Sequence, residues 1–189
     1  MKLRALTFGL LATVVGLTGW AAAQQFTFAS GSRVTVEGTS SVHDWTCTAA
    51  QVSGALDATA ANGALTNATS LTVNIPVAAL DCNNGTMNGK LRDALGASAI
   101  RFVASNIRVG TPNGNAFAID ANGQLTIKGT ARAQRVQAQG QVLGNGRYRF
   151  TGSVPVTMSQ FGVTPPTAMM GALRTGDRVT VRFDVTVNG

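Results

Sequence analysis

The sequence predicts an all-β domain, an antiparallel barrel or sandwich of about eight strands carrying one short helix. Three observations lead there. Apolar and polar residues alternate with period two through most of the chain, the mark of strands with one buried face. Asn-Gly pairs and similar turn signals separate the alternating runs. A single stretch departs from period two and places its apolar residues at helical spacing.

In chain order, residues 1–23 read as an address and not as part of the fold. Lys2 and Arg4 make a positive start, Leu6 to Trp20 is apolar, and Ala21-Ala22-Ala23 supplies small residues for a signal peptidase, so cleavage is expected before Gln24. The competing reading is a transmembrane anchor. The apolar run is shorter than the ~20 residues a span requires. No cysteine follows it to carry a lipid, and no later segment is long and apolar enough to cross a bilayer. The expected mature chain is a single domain, residues 24–189, large enough to bury a real core and placed in the periplasm or secreted.

The strands follow. Val34 and Val36 alternate with Arg33, Thr35 and Glu37; Leu71, Val73, Ile75 and Val77 alternate with Thr72, Asn74 and Pro76. Phe117 and Ile119 flank Ala118, and Leu125 and Ile127 flank Thr126. Two longer runs close the chain, one through Tyr148, Phe150, Val154, Val156 and Met158, the other through Val179, Val181, Phe183, Val185 and Val187. Turns are expected at Ala61-Asn62-Gly63, Pro112-Asn113-Gly114-Asn115, Ala121-Asn122-Gly123, Gly144-Asn145-Gly146 and Thr175-Gly176-Asp177. Met87, Leu91, Ala94 and Leu95 predict a short helix over 87–95. Many presumed inward positions are small: Gly38, Gly54, Ala58, Ala104, Gly129, Ala131, Ala138 and Gly152. Small inward residues either leave a cavity or let the sheet bend sharply, and alternation alone leaves both open.

Chemistry-bearing residues are few. Cys47 and Cys82 are an even pair in an oxidising compartment, and a disulfide is the simplest expectation. Closing a loop of that length removes on the order of 4 kcal/mol of unfolded-chain entropy. The single histidine, His43, adjoins Asp44 near Ser40, Ser41 and Trp45. Neighbours on a strand point to opposite faces, so a His43–Asp44 dyad is not expected. No nucleophile elbow, metal-ligand spacing or carboxylate cluster appears, so neither a catalytic nor a metal site is expected. The formal net charge of +7 falls to +5 once Lys2 and Arg4 leave with the address, and the remaining basic residues are mostly arginines scattered through the strands, read as solvated outer faces; no dense basic run or nucleic-acid motif accompanies them. Asn67-Ala68-Thr69 and Asn84-Gly85-Thr86 match the glycosylation pattern, read here as coincidence.

The stretch from Met158 to Gly171 is neither strand nor regular helix. Pro165-Pro166 makes a rigid extended turn among Met158, Phe161, Val163, Met169 and Met170. Such a greasy loop folds over the protein's own core or over a ligand.

Three stretches together resemble the YceI-like family. These are Val36-Glu37-Gly38-Thr39-Ser40-Ser41-Val42-His43-Asp44-Trp45; Met87 to Leu95 with Ile100-Arg101-Phe102; and Met158 to Pro166 with Gly171-Ala172-Leu173 and Asp177 to Val181. The likeness covers most of residues 33–187. It implies an eight-stranded antiparallel lipocalin-like barrel with a helix packed on it. It also implies a periplasmic or secreted protein that binds a polyisoprenoid, isoprenoid quinone or similar amphiphile inside the barrel, for transport, storage or sequestration, and that is no enzyme. The Gly/Ala/Asn-rich composition and the cysteine pair depart from the general family pattern. Parity and resemblance together give the expected ligand-binding residues: Phe102, Phe117, Ile119, Phe150, Met158, Phe161, Met169 and Phe183, with His43 or Trp45 at the polar end. The expected partner is a long-chain lipid, with no nucleic acid, no transmembrane segment in the mature chain and no cofactor beyond a bound isoprenoid lipid or quinone. A homodimer is left open. The alternative is an envelope stress-related structural or interaction module with a filled barrel and no ligand.

Overall fold

The computed structural model of the protein describes residues 23–96, 99–168, 170 and 172–189. Of the sequence expectations, the address up to residue 22 and Met169 lie outside the described residues. In chain order the elements are β1 (Ala23–Phe28), β2 (Arg33–Ser40), β3 (Trp45–Ala49), β4 (Ser53–Ala61), β5 (Ala64–Pro76), β6 (Leu80–Asp81), α1 (Gly85–Leu95), β7 (Ala99–Val109), β8 (Ala116–Ile127), β9 (Thr130–Gly144), β10 (Arg147–Thr157), β11 (Thr167–Ala168) and β12 (Leu173–Asn188).

Eight strands form a closed antiparallel ring in the order β1-β4-β5-β7-β8-β9-β10-β12, with β12 pairing back to β1. The result is the barrel-like, all-β fold with one helix that the alternation and the resemblance called for. At one end the ring is thickened by three strands that continue others. β1 and β2 lie in succession along the same edge of β12: Phe28 faces Val187, and Arg33 to Gly38 face Asp184 to Val179. β3 and β4 run against them, and β5 and β6 run against those in turn. Each pair is therefore one long strand with an interruption.

The end of the ring opposite α1 is packed solid. Phe26, Phe117, Tyr148 and Phe150 meet there with Leu56, Leu65, Val185 and Val187. The rings touch edge to face, with centroids 5.4 Å apart for Phe26–Tyr148 and 6.0 Å for Phe117–Phe150, the arrangement that aromatic quadrupoles favour. The Tyr148 hydroxyl donates to the Gly63 carbonyl at 3.0 Å, tying the β4–β5 hairpin across this floor. That hairpin turns on Asn62 and Gly63, both at positive φ, as the Asn-Gly signal predicted.

A second cluster mends a gap in the ring. The β9–β10 ladder stops at Ala138 and Gly152, so Thr130–Gln137 and Ser153–Thr157 diverge. Phe161 and Val163, from the loop that follows β10, are buried there against Val154, Val156, Ile127 and Val179. Arg132 Nε donates to the Gln160 carbonyl at 3.1 Å and pins the loop to β9. The central residues of the proline-rich motif thus fill a slot between two strands.

Several turn and face expectations are corrected. Ala121-Asn122-Gly123 is not a turn but the middle of β8, whose inward residues run unbroken from Phe117 to Ile127. A Cβ at Gly123 would lie 2.3 Å from the Val103 carbonyl oxygen, so glycine is there because β7 comes too close for any side chain. Opposite it β7 shifts register between Ala104 and Asn106. Thr175-Gly176-Asp177 likewise lies inside β12, at an irregularity facing Ser40 to Gly38. The Asp177 carboxylate accepts from the Ser159 backbone N–H at 2.8 Å and fastens the start of the loop. Ala131 is exposed on the outer face and Gly129 sits in the β8–β9 turn, so neither is an inward residue. Met158 begins a 3-10 turn over Met158–Phe161 and is not the last residue of β10.

Outside the ring the arginines pair diagonally across strands. Arg135 meets Asp120, Arg149 meets Asp184 and Arg182 meets Glu37. Each carboxylate sits two residues from the arginine's direct register partner. Arg149 holds the Asp184 carboxyl below its ordinary range by hydrogen bonding, and Arg135 does the same for Asp120. These pairs are solvent-exposed and contribute little each.

Candidate functional site: an apolar cavity with a polar rim

Above the aromatic floor the ring encloses a cavity of about 540 Å³. That volume lies in the range of small-molecule sites, ~300–1,000 Å³. Its wall is built from the inward parity of the strands: Val73 and Ile75 of β5, Phe102 of β7, Ile119 and Leu125 of β8, Val136 and Ala138 of β9, Val181 and Phe183 of β12. Many of these face the interior yet are only half-buried, because what lies opposite them is empty space. Val73, Ile75 and Phe102 line the hollow but belong to neither packed cluster.

The helix α1 covers the hollow at the end away from the floor. It starts at Asn84, whose side chain accepts from the Met87 N–H at 3.1 Å, and it stops at Gly96 in the left-handed conformation. Asn84, the first residue of a glycosylation-like triplet, thus works as a helix cap. The spacing of Met87, Leu91, Ala94 and Leu95 predicted the helix, and in the structure these four residues line the cavity. None of the helix's residues is fully buried, as befits a helix packed over a void. The Asn88 side chain donates to Asp81 and accepts from the Cys82 N–H, both at 2.8 Å. Cys82 in turn is disulfide-bonded to Cys47 of β3. The bond anchors the segment that leads into the helix, and both cysteines line the cavity.

Polarity is confined. Gln134 is the one polar residue of the β9 wall among the described lining residues. The other polar groups come from the α1 end: Ser40 and His43 beside the β2–β3 turn, Asn84, Thr86 and Lys90 of α1 and its cap, Thr167 of β11 and Thr175 of β12. Lys90 Nζ donates to the Thr167 carbonyl at 3.1 Å, so it spans the gap between helix and loop. His43 Nδ1 donates to the Asp44 backbone carbonyl at 2.8 Å, and Ser40 Oγ donates to the His43 carbonyl at 2.7 Å. The carboxylate of Asp44 takes no part, so no dyad forms. With Nδ1 engaged, Nε2 is the ring nitrogen left for a further hydrogen bond. Trp45 Nε1 donates to the Thr39 carbonyl at 3.1 Å, and its ring covers Gly38, where a Cβ would fall 2.3 Å from the indole.

Among the residues singled out from sequence, Phe102, Ile119, Phe150, Met158, Phe183, His43 and Trp45 all lie on the cavity wall. Phe117 is packed in the aromatic floor and Phe161 in the mended seam, and neither is among the lining residues. The lining contributed by β5 and by α1 was missed as a site. Its signal was present in the alternation of Leu71 to Ile75 and in the helical spacing of Met87 to Leu95. Among the described residues no group of three or more His, Cys, Asp or Glu side chains gathers to hold a metal ion.

A closed ring of antiparallel strands around an apolar hollow, floored by aromatics and rimmed by polar groups, defines a small barrel-like domain with an internal cavity. The chain belongs to the YceI-like domain family, whose model matches residues 24–187. Solved structures agree in fold. A polyisoprenoid-binding domain from Saccharophagus degradans, implicated in plant cell wall breakdown, is 14% identical with a TM-score of 0.66, covering 89% of this chain and 99% of its own. BcnA of Burkholderia cenocepacia is 22% identical with a TM-score of 0.63, covering 82% and 95%. The YceI protein of Campylobacter jejuni is 18% identical with a TM-score of 0.57, covering 74% and 81%. No curated protein matches the chain.

Proposed function

We propose that the protein binds a polyisoprenoid, an isoprenoid quinone or a similar long-chain amphiphile, and that it carries, stores or sequesters this lipid in the periplasm or outside the cell. The observation that carries the reading is the segregation of the cavity: an apolar interior with polar groups almost wholly at one end. An amphiphile has the same polarity pattern. Its hydrocarbon would lie against Val73, Ile75, Phe102, Ile119 and Phe183, gaining about 0.8 kcal/mol for each CH₂ removed from water. Its polar end would meet His43, Ser40, Thr86 and Lys90 at the rim. The polyisoprenoid-binding domain among the structural neighbours supports the choice of cargo. The chemistry asked of the protein is binding, with no bond made or broken. The hollow disfavours the alternative of a filled, ligand-free module. A homodimer is compatible with the reading, but the described residues of one chain already form the wall, floor and rim.

The test is lipid extraction from protein purified without detergent, followed by mass spectrometry, and titration of the emptied protein with a polyprenol and a quinone. Stoichiometric prenyl lipid, or saturable uptake of either probe, is expected. An interior that yields no lipid and takes up neither probe ends the proposal. The periplasmic or secreted location is checked on the same sample, whose intact mass should correspond to a chain beginning at Gln24.

A further inference from the structure

The helix α1 covers the cavity, and its two flanks are held very differently. At ~100° per residue, Asn88 and Arg92 share one flank, one turn apart, and Lys90 lies on the other, ~200° from Asn88. The first flank is tied down along its length. Asn88 bonds Asp81 and the Cys82 N–H, and the Arg92 guanidinium donates to the Ala78 carbonyl at 3.5 Å. The Cys47–Cys82 disulfide fixes this same segment, 78–82, to β3. Among the described residues the second flank has one polar bond to the rest of the molecule, from Lys90 Nζ to the Thr167 carbonyl at 3.1 Å. The lip that Lys90 reaches is itself cross-bonded. Thr167 pairs with Arg174 in β12, the Ser41 N–H donates to the Arg174 carbonyl at 2.9 Å, and Ser40 pairs with Thr175. One lip of the slot is therefore sheet, and the other is a helix with no fully buried residue.

We infer that α1 is a lid, hinged along its Asn88–Arg92 flank and latched by Lys90 on Thr167, which swings to admit and release the cargo. The inference deepens the binding proposal and rests on it. The slot that opens lies between Lys90 and the lip of Ser40, His43, Thr167 and Thr175, where the polar groups of the cavity collect. Opening there breaks one exposed hydrogen bond and lifts Ala94 and Leu95 from the second cluster. Opening on the other flank would break the three bonds of Asn88 and Arg92 and then strain against a covalent one. Two other ways out are shut. The far end is the packed aromatic floor, and the seam between β9 and β10 is plugged by Phe161 and Val163, both buried. A helix so placed sets the rates of uptake and release, as lids over enclosed sites do.

The test locks the latch and leaves the hinge alone. In the full mature chain, Lys90→Cys with Thr167→Cys places a thiol on each lip, both at exposed positions. An ethylene-spaced bismaleimide joins the two without reducing the native disulfide. The control is the same variant carrying two monofunctional maleimides, so any effect of the substitutions themselves is common to both. Detergent-dispersed ubiquinone is the probe, read by quenching of Trp45, the one tryptophan after residue 23 and a lining residue of the cavity. Linked while empty, the protein should fail to load in the time that saturates the control. Linked while loaded, it should keep its quinone against acceptor liposomes that empty the control. Equal loading and release by the linked and control proteins overturn the inference and put the route through the β9–β10 seam. If wild type and control take up no quinone at all, the cargo reading falls, and amide exchange in 85–95 decides the lid by itself. Slower exchange in the linked protein than in the control sustains a moving helix, and equal exchange overturns it.

Discussion

Tyr148 is the chain's single tyrosine, and it is buried in the floor with its hydroxyl on Gly63. Burial disfavours the phenolate and raises the pKa above the ordinary value near 10. The sign of the linkage follows. Because the folded value lies above the unfolded one, this group's stabilisation is fully present below about pH 10 and is lost as pH rises through the folded value. The absorbance of tyrosinate therefore reports on one residue, and it should appear at a pH above 10 together with alkaline unfolding. Tyr148→Phe should flatten the alkaline loss, at a cost of about 1 kcal/mol at neutral pH for the missing hydrogen bond; a wild-type phenol titrating at its ordinary value in the folded protein would refute the burial argument. Single residues also explain what sequence could and could not say. Asn62-Gly63 and Asn122-Gly123 are the same dipeptide, yet one turns a hairpin and the other lies in mid-strand. Only the second has a neighbouring backbone at 2.3 Å from where a Cβ would stand, and that neighbour is β7, remote in sequence and invisible to a local rule. The unbroken inward parity from Phe117 to Ile127 was the available hint that no turn intervened.

At the level of elements, the long strands β10 and β12 were legible because Tyr, Phe and Val alternate with Arg, Thr and Ser in β10, and Val and Phe with Arg, Thr and Asp in β12. β9 was not, since Ala and Gln recur on both of its faces and give alternation little contrast. The helix was legible from spacing alone, but its anchoring was not. β6 contributes only two register pairs to β3, Thr48 with Asp81 and Ala49 with Leu80. Beyond them the entry to α1 depends on the Cys47–Cys82 bond and on Asn88. Removing the bond by Cys47→Ala with Cys82→Ala should cost on the order of 4 kcal/mol in denaturant unfolding, by the chain-entropy model. Its local signature should be stronger: amide exchange in 85–95 should rise well before exchange in the floor strands β1 and β4, because the helix has no fully buried residue to hold it. Uniform acceleration across the domain would mean that the disulfide acts on the unfolded chain alone and anchors nothing in particular.

On the scale of the whole molecule, the ring has two unequal halves. The floor follows the rule of close packing, with aromatic edges against faces and Gly140 yielding room to Phe117. The other half forgoes that packing, and its inward residues remain half-buried around about 540 Å³. Period-two alternation marks the inward face of both halves identically, which is why sequence left barrel filling open. Whether inward side chains meet one another depends on ring diameter and strand tilt, and neither is written in any local pattern. One substitution separates a hollow from a packed interior. Val73 lines the cavity and belongs to neither packed cluster, so Val73→Trp sends its added atoms into empty space. In a filled core such an insertion would cost about 1–3 kcal/mol. In this cavity the indole should bury against Phe102 and Ile75 and leave the thermal midpoint unchanged or raised. The same ring occupies volume that a hydrocarbon chain needs, so polyprenol uptake should fall about tenfold or more. Calorimetry and lipid titration on one variant thus give opposite signs, stability kept and binding lost. A destabilised Val73→Trp protein with undiminished uptake would place the lipid elsewhere and the packing where the hollow now stands.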